Sequence, residues 1–383
     1  MNAIEGLAPN ASVRAVAMYL PQFHPIPEND EWWGKGFTEW TNTAKAKPLF
    51  RGHYQPHVPA DLGFYDLRVP ETRQEQADLA RAYGIEAFCY YHYWFAGRQL
   101  LQRPLQEVVA SGKPDFPFCI CWANQTWSGI WHGLSKRILI EQTYPGREDH
   151  EAHFQTLLPA FRDNRYLRVD EKPVFIIYEP TRVPESRATT DLWRDLAVRA
   201  GLKGLYLIAW FPRQDWDAIE HGYDATVRVP PVPLRPWVSR RHPIRWAVHR
   251  FLDWIGRPNI LSFAQIMEQH RRAYVPKPHP QFPCVMHAFD NTPRSGKRGV
   301  VIADASPAMF RTMLREAIAE VACYAPQERL VFLKSWNEWA EGNHLEPDLR
   351  DGHAYLRVLK DVLDQEGATR AAGIVSQRAS GPA

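Results

Sequence analysis

Leu330-Val-Phe-Leu-Lys-Ser-Trp-Asn-Glu-Trp-Ala-Glu-Gly-Asn-His-Leu-Glu-Pro347 begins as a strand and ends as chemistry. Leu330 to Leu333 is a short apolar run of the kind a buried parallel strand uses. It breaks at Ser335 into Glu338, Glu341 and Glu346, with Trp336, Asn337, Trp339 and His344 between them. Carboxylates move protons, indoles stack on pyranose faces and an amide holds a hydroxyl, so the pattern describes a sugar site. Glu-x-x-Glu also reads as the first turn of a helix, where Asn caps and Glu complements the dipole. Two tryptophans around the pair, directly after a strand, favour the site.

Working outward, strand-like and helix-like runs alternate, as parallel βα units require. Strands are expected over 13–20, 85–91, 116–122, 173–178, 204–209, 224–229, 281–286 and 329–335. Helices are expected over 70–83, 100–111, 148–161, 190–200, 215–221, 307–324 and 352–366. Eight such units make an α/β chain with a single (β/α)8 TIM-type barrel across 13–366. An N-terminal tail over 1–12 and a flexible C-terminal tail over 367–383 flank it. Two long βα loops are inserted, 25–66 and 230–261, and loops of that length tend to be functional covers.

Barrel chemistry sits at the carboxyl ends of the strands. Those ends carry Tyr19 and His24, then Tyr91 and His92, then Trp122, Asn124 and Trp127, then Tyr178, then His287 and Asp290. With Trp40 from the first insertion and Trp336, Asn337 and Glu346 from the last segment, these are the candidate substrate contacts. Together they describe an aromatic-walled polar cleft; singly, each has a duller reading as a cap on the barrel mouth. The second insertion places Arg235, Arg240, Arg241, Arg245 and Arg250 around a helix-like stretch. Ile244, Ala247, Val248, Phe251, Leu252 and Ile255 fall on one face of it. Such a helix packs on the barrel, or else lies on an anionic membrane through 235–257. The arginines also suit the phosphates of an activated sugar.

Composition sets the outer limits. A net charge of +3 gives no nucleic-acid footprint, and 45% apolar residues support a large core. The 15 Trp and 32 Pro suit concave sites for flat ligands. Five cysteines, Cys89, Cys119, Cys121, Cys284 and Cys323, form an odd set of free thiols and point to a reducing compartment. Cys119-Ile-Cys121 reads as strand alternation rather than a metal clasp. Residues 1–13 lack a basic start and apolar run, and no stretch of about 18 apolar residues occurs, so a cytoplasmic protein is expected. Gly-x-Ser-x-Gly and His-Glu-x-x-His are both absent, and no metal or cofactor is expected. His53 and His57 share a four-residue spacing, but Pro56 beside them argues against a helix. Asp215-Trp-Asp217 is the one metal-nucleotide-like motif, and Asp-x-Asp is common by chance.

Met18-Tyr-Leu-Pro-Gln-Phe-His-Pro-Ile-Pro27, Trp33-Gly-Lys-Gly-Phe-Thr-Glu-Trp-Thr-Asn42 and Phe88-Cys-Tyr-Tyr-His-Tyr-Trp94 form a larger pattern with Trp122-Ala-Asn-Gln-Thr-Trp127 and Trp336-Asn-Glu-Trp-Ala-Glu-Gly342. Over about residues 13–365 this pattern resembles the WbsX-like proteins, named as glycosyltransferases of surface-polysaccharide clusters. That family is similar in turn to the glycoside hydrolase family 99 endo-α-mannosidases, through 173–178 and the Asn-Glu-Trp-x-Glu-Gly segment. The resemblance implies a (β/α)8 barrel and a retaining route in which the substrate 2-OH attacks the anomeric carbon. It implies Glu338 as base for that hydroxyl and Glu341 as general acid/base. Ala340 departs from the hydrolases, which have His there.

Three readings follow. One is retaining cleavage or transglycosylation of α-linked manno- or rhamno-configured sugars in a bacterial surface polysaccharide. The second is a glycosyltransferase building O-antigen or capsule from a lipid- or nucleotide-linked donor. The third is a glycan-binding barrel without catalysis, against which the paired glutamates argue. A glycosidic bond needs a proton donor and a charged or basic partner, and adjacent carboxylates split their pKa values to supply both.

Overall fold

The structure, a computed structural model, describes residues 13–129, 137–210, 212, 215–232, 243–254 and 256–379. Eight parallel strands close into a barrel: β1 (Arg14–Tyr19), β2 (Ala87–Phe95), β3 (Phe118–Trp122), β4 (Lys172–Ile177), β5 (Tyr206–Ala209), β6 (Ala225–Arg228), β7 (Gln281–Met286) and β8 (Leu330–Lys334). Each pairs with the next in chain order. Closure comes from β1 against β8, with Arg14 opposite Leu330 and Val16 opposite Phe332. The expected (β/α)8 TIM-type barrel is therefore the fold. Its strands read as near-continuous apolar runs because helices cover them outside and side chains fill the interior.

The helices are α1 (Pro27–Trp33), α2 (Glu39–Lys45), α3 (Pro70–Ala82), α4 (Arg103–Ser111), α5 (Arg147–Arg162), α6 (Ser186–Arg199), α7 (Pro243–Trp254), α8 (Phe263–Arg272), α9 (Thr292–Ser295), α10 (Pro307–Val321) and α11 (Ala354–Ala379). Four differences from the sequence reading have physical causes. No helix forms over 215–221; the Asp217 carboxylate accepts from the amides of Ile219 and Glu220 and closes a turn instead, which also accounts for the Asp-x-Asp motif. The first insertion builds α1 and α2, the latter started by a Thr38 capping box. α8 buries Phe263, Ile266, Met267 and His270, a three-four spacing legible in the sequence. The last helix runs on to Ala379, where the sequence reading ended it at Glu366 and expected a flexible tail over 367–383.

All five cysteines are free; four are buried in strands and Cys323 is exposed. Cys119 lies opposite Cys89 across the β2–β3 ladder, so Cys119-Ile-Cys121 is alternation along a wall. Among the described residues no helix is long and apolar enough to cross a membrane.

The barrel closes on aromatic packing. Phe332 of β8 is fully buried, its ring 5.4 Å from Trp210 and 6.3 Å from Phe282. Replacing it with Ala leaves a cavity next to the closing strand pair. The expected loss is about 3–5 kcal/mol in chemical denaturation, with the slope against denaturant unchanged.

Candidate active site

The cavity at the carboxyl end of the barrel has a volume of about 550 Å³, within the usual range for a small-ligand site. β2 contributes Tyr91 and Tyr93, the segment after β3 Gln125 and Trp127, and the end of β4 Tyr178. Trp33 of α1, Phe289 after β7 and the 229–232 stretch after β6 complete the walls. Trp127 meets Tyr93 edge-on at 4.9 Å, and Tyr91 meets Tyr178 at 5.9 Å, so the aromatic wall is one packed surface.

Glu338 and Glu341 form part of the lining, joined by Glu39, Arg294 and Lys334. The Arg294 guanidinium reaches all three carboxylates. Its Nη2 donates to Glu338 Oε2 at 3.0 Å, its Nη1 to Glu341 Oε1 at 2.6 Å, and its Nε to Glu39 Oε2 at 3.1 Å. Lys334 Nζ donates to the other Glu341 oxygen at 3.0 Å. Three carboxylates and two cations thus share one contact cluster. Burial, and next the Glu341 charge, push Glu338 above the usual carboxylate range. Burial acts on Glu341 in the same direction, but Lys334 and Arg294 more than reverse it and hold Glu341 low. The two glutamates are thus shifted in opposite directions.

Local structure aims the pair. Asn337 and Glu338 pair antiparallel with Asn343 and His344, so the chain turns back on itself after β8. Gly342 makes the turn in the left-handed region at φ 54°, and a Cβ there would sit 3.1 Å from Asp290 Cβ. The Asn337 side chain accepts from the Leu20 amide at 2.7 Å and donates to the Leu20 carbonyl at 3.0 Å, fastening the turn to the end of β1.

Of the residues singled out in the sequence, the structure brings Tyr91, Trp127, Tyr178, Glu338 and Glu341 to the cavity. The others lie outside its lining. Tyr19 donates to Gln76 at 2.6 Å, and Gln76 donates to Glu346 at 2.6 Å. Glu346 also accepts from Tyr65 at 2.8 Å and from the Trp339 indole at 2.6 Å; burial raises its pKa to about 7. Trp40 donates to the Tyr65 carbonyl. His24 is buried, which lowers its pKa to about 4. His92 lies 2.9 Å from His153, and Trp122 packs on Trp193, both on the helix side of the wall. Asn124 joins strand ends by accepting from the Glu179 amide and donating to its carbonyl. Asp290 accepts from Gln55 and Thr292 and pairs with His53 at 2.6 Å, while its amide donates to the Glu341 carbonyl. His287 packs on Tyr355, and Trp336 is fully buried against Phe88. For Tyr19, Glu346, Asn124 and Asp290, the need of buried polar groups for hydrogen-bond partners explains the placement.

Sequence reasoning gave no role to Arg294, Lys334 or Glu39. Lys334 was readable as a lone cation at the end of an apolar strand. Arg294 sits in a Thr-Pro-Arg-Ser turn that carries no signal until the fold places it. Arg294→Met strands buried Glu39 and Glu338 and leaves Glu341 to Lys334 alone, at an expected cost of about 3–5 kcal/mol. Without the guanidinium that lowers it, the Glu338 pKa rises further above its unfolded value, so the deficit is largest at neutral pH and above. It shrinks as pH falls and Glu338 protonates; thermal midpoints measured from acid to alkaline pH check this.

The glycosyltransferase WbsX family model matches residues 15–359. The chain is 40% identical over 351 residues to the WxcX protein of Xanthomonas campestris pv. campestris, and 39% identical to that of strain B100. Each alignment covers 91% of this chain and 49% of the relative, so the chain spans about half the length of the curated relatives it matches. The family 99 endo-α-mannosidase of Bacteroides thetaiotaomicron has a similar structure, with a TM-score of 0.56 and 14% identity over 94% of this chain and 98% of that one. A glycoside hydrolase-like protein is similar at a TM-score of 0.54, 14% identity, and coverage of 94% and 97%. At that identity the likeness is one of fold. The match along almost the whole barrel, through both glutamates, is one of family: the chain belongs to the WbsX glycosyltransferases, a family of carbohydrate-active enzymes.

Proposed function

We propose that this barrel transfers a sugar from a diphosphate-activated donor, lipid- or nucleotide-linked, to a hydroxyl of a growing surface glycan. The observation that carries this reading is the grip of Lys334 and Arg294 on Glu341. Cleaving an ordinary glycoside requires a protonated acid beside the leaving oxygen. The group that would serve is held ionised. A diphosphate leaves without a proton and so does not need that acid. Glu338, with its raised pKa, is matched to take the proton of the accepting hydroxyl. The C1–O bond of the donor breaks with its electron pair going to the diphosphate, and the acceptor oxygen forms the new bond. Tyr91, Trp127 and Tyr178 supply faces for the sugar rings.

A second reading, retaining cleavage or transglycosylation of α-mannosides or α-rhamnosides through the 2-OH, draws support from the mannosidase-like barrel. The two separate on a donor panel. Lipid- and nucleotide-diphosphate sugars and aryl α-glycosides are tested with wild type, Glu338→Gln and Glu341→Gln. Transfer from diphosphate donors, lost about 100-fold or more in either variant, is expected. Release from aryl glycosides alone overturns the transfer reading. The pH profile carries a sign as well: as base, Glu338 loses activity when pH falls through its raised pKa, whereas as acid it loses activity when pH rises through it.

α7 supports a membrane setting. Ile244, Val248, Phe251 and Trp254 are exposed along one side, Ile244 at 80% and Trp254 at 82%. The plainer expectation, packing on the barrel, does not hold for this face; the sequence around it is rich in arginine, with Arg235, Arg240 and Arg241 outside the described residues, and such a composition suits an anionic lipid surface. Residues 229–232, shortly before it, line the cavity. Flotation with phosphatidylglycerol-containing vesicles is expected to carry the wild-type chain and to lose it on combined Phe251→Glu and Trp254→Glu substitution. A wild-type chain that stays with the soluble fraction overturns the contact.

A further inference from the structure

Behind the turn that carries the glutamate pair, three ligand atoms converge from two distant segments. His57 Nδ1 lies 2.9 Å from His344 Nε2 and 3.4 Å from Asp348 Oδ2, and the last two are 4.0 Å apart. Four-coordinate zinc with bonds of about 2.0–2.2 Å places neighbouring ligand atoms about 3.3–3.5 Å apart, a value these three distances bracket. The supporting contacts are of the kind that orient metal ligands. His344 Nδ1 donates to the Glu346 carbonyl at 2.9 Å, which leaves the lone pair of Nε2 facing the cluster. Asp348 Oδ1 accepts from the amides of Arg350 and Asp351, at 3.1 and 2.6 Å, which aims Oδ2 at the two imidazoles. Asp348 and His344 are buried, and His57 stands half-buried at the open side.

A single proton on His57 Nδ1 serves His344 well and Asp348 poorly; a divalent cation serves all three. We propose that His57, His344 and Asp348 hold a zinc-type divalent metal ion that ties the long loop after β1 to the loop after β8. The two loops already touch there: Ala60 donates to the Pro347 carbonyl and Leu349 to the Val58 carbonyl. The Trp339 ring, between Glu338 and Glu341 in the chain, stacks on His344 at 3.7 Å. The ion is structural, and it braces the segment that presents the pair. No motif search finds such a site, because His57 and His344 are 287 residues apart.

The full chain is stripped with EDTA and then titrated with zinc chloride by calorimetry, with cobalt(II) absorption reporting coordination geometry. Wild type is expected to bind one equivalent, to gain thermal stability on binding, and to give tetrahedral-type cobalt bands. His57→Gln, at the open edge, and Asp348→Asn, which keeps the amide-accepting oxygen, are each expected to remain folded by circular dichroism and to bind zinc at least about tenfold more weakly. Wild type without stoichiometric zinc or cobalt binding overturns the site. Binding of equal strength in both variants also overturns it, because the ion is then held elsewhere.

Discussion

One guanidinium organises this molecule. Arg294 lies on a four-residue helix after β7, and it contacts a glutamate from the loop after β1 and two from the loop after β8. These segments are far apart in sequence, and only a closed barrel brings them to the same rim. Charges taken out of water cost several kcal/mol each unless partners recover it, so the cluster is a constraint more than a source of stability. It demands that three loops meet in one register. Once they do, burial and the two cations move the Glu338 and Glu341 pKa values in opposite directions.

Around that cluster the protein spends most of its conspicuous polar residues on support. Asn337 fastens the glutamate turn to Leu20, Asp290 gathers His53, Gln55 and Thr292 while donating to the Glu341 carbonyl, and Glu346 collects Gln76, Tyr65 and Trp339. Each is a buried group whose partners are all protein atoms on the turn or its neighbours. Reacting groups must be held to within a fraction of an ångström, and side chains on loops achieve this only when their own rotamers are locked. The amides, imidazoles and carboxylates that resemble sugar contacts in the sequence serve this holding role.

Period and order were therefore easier to read than role. Eight apolar runs at βα spacing give the barrel because a strand covered on both sides has one legible composition. Glu338 and Glu341 were legible because two acids and two indoles have no use in a strand end. The failures share a cause: residue type tells what a side chain can do, and only the fold tells which partner reaches it first. Asp217 found amides two and three residues away and made a turn where a helix was expected. Tyr19 found Gln76, and Trp122 faced the helices. Arg294 was unreadable for the converse reason, since nothing within its own turn reveals three carboxylates from elsewhere.

The same logic bears on the reaction. Barrels that share a fold share the place where chemistry happens, not the charge that chemistry meets. Here Lys334 and Arg294 both bond Glu341. A carboxylate bonded on both oxygens by cations is a weak acid catalyst and a strong organiser of positive charge. Positive charge beside a breaking glycosyl bond assists a leaving group that departs as an anion, and it gives little help to one that must leave as an alcohol. On the proposed reading, Lys334 and Arg294 at this cavity suit an activated donor, and the exposed apolar face of α7, close in the chain to the cavity wall, suits a donor or acceptor anchored in lipid.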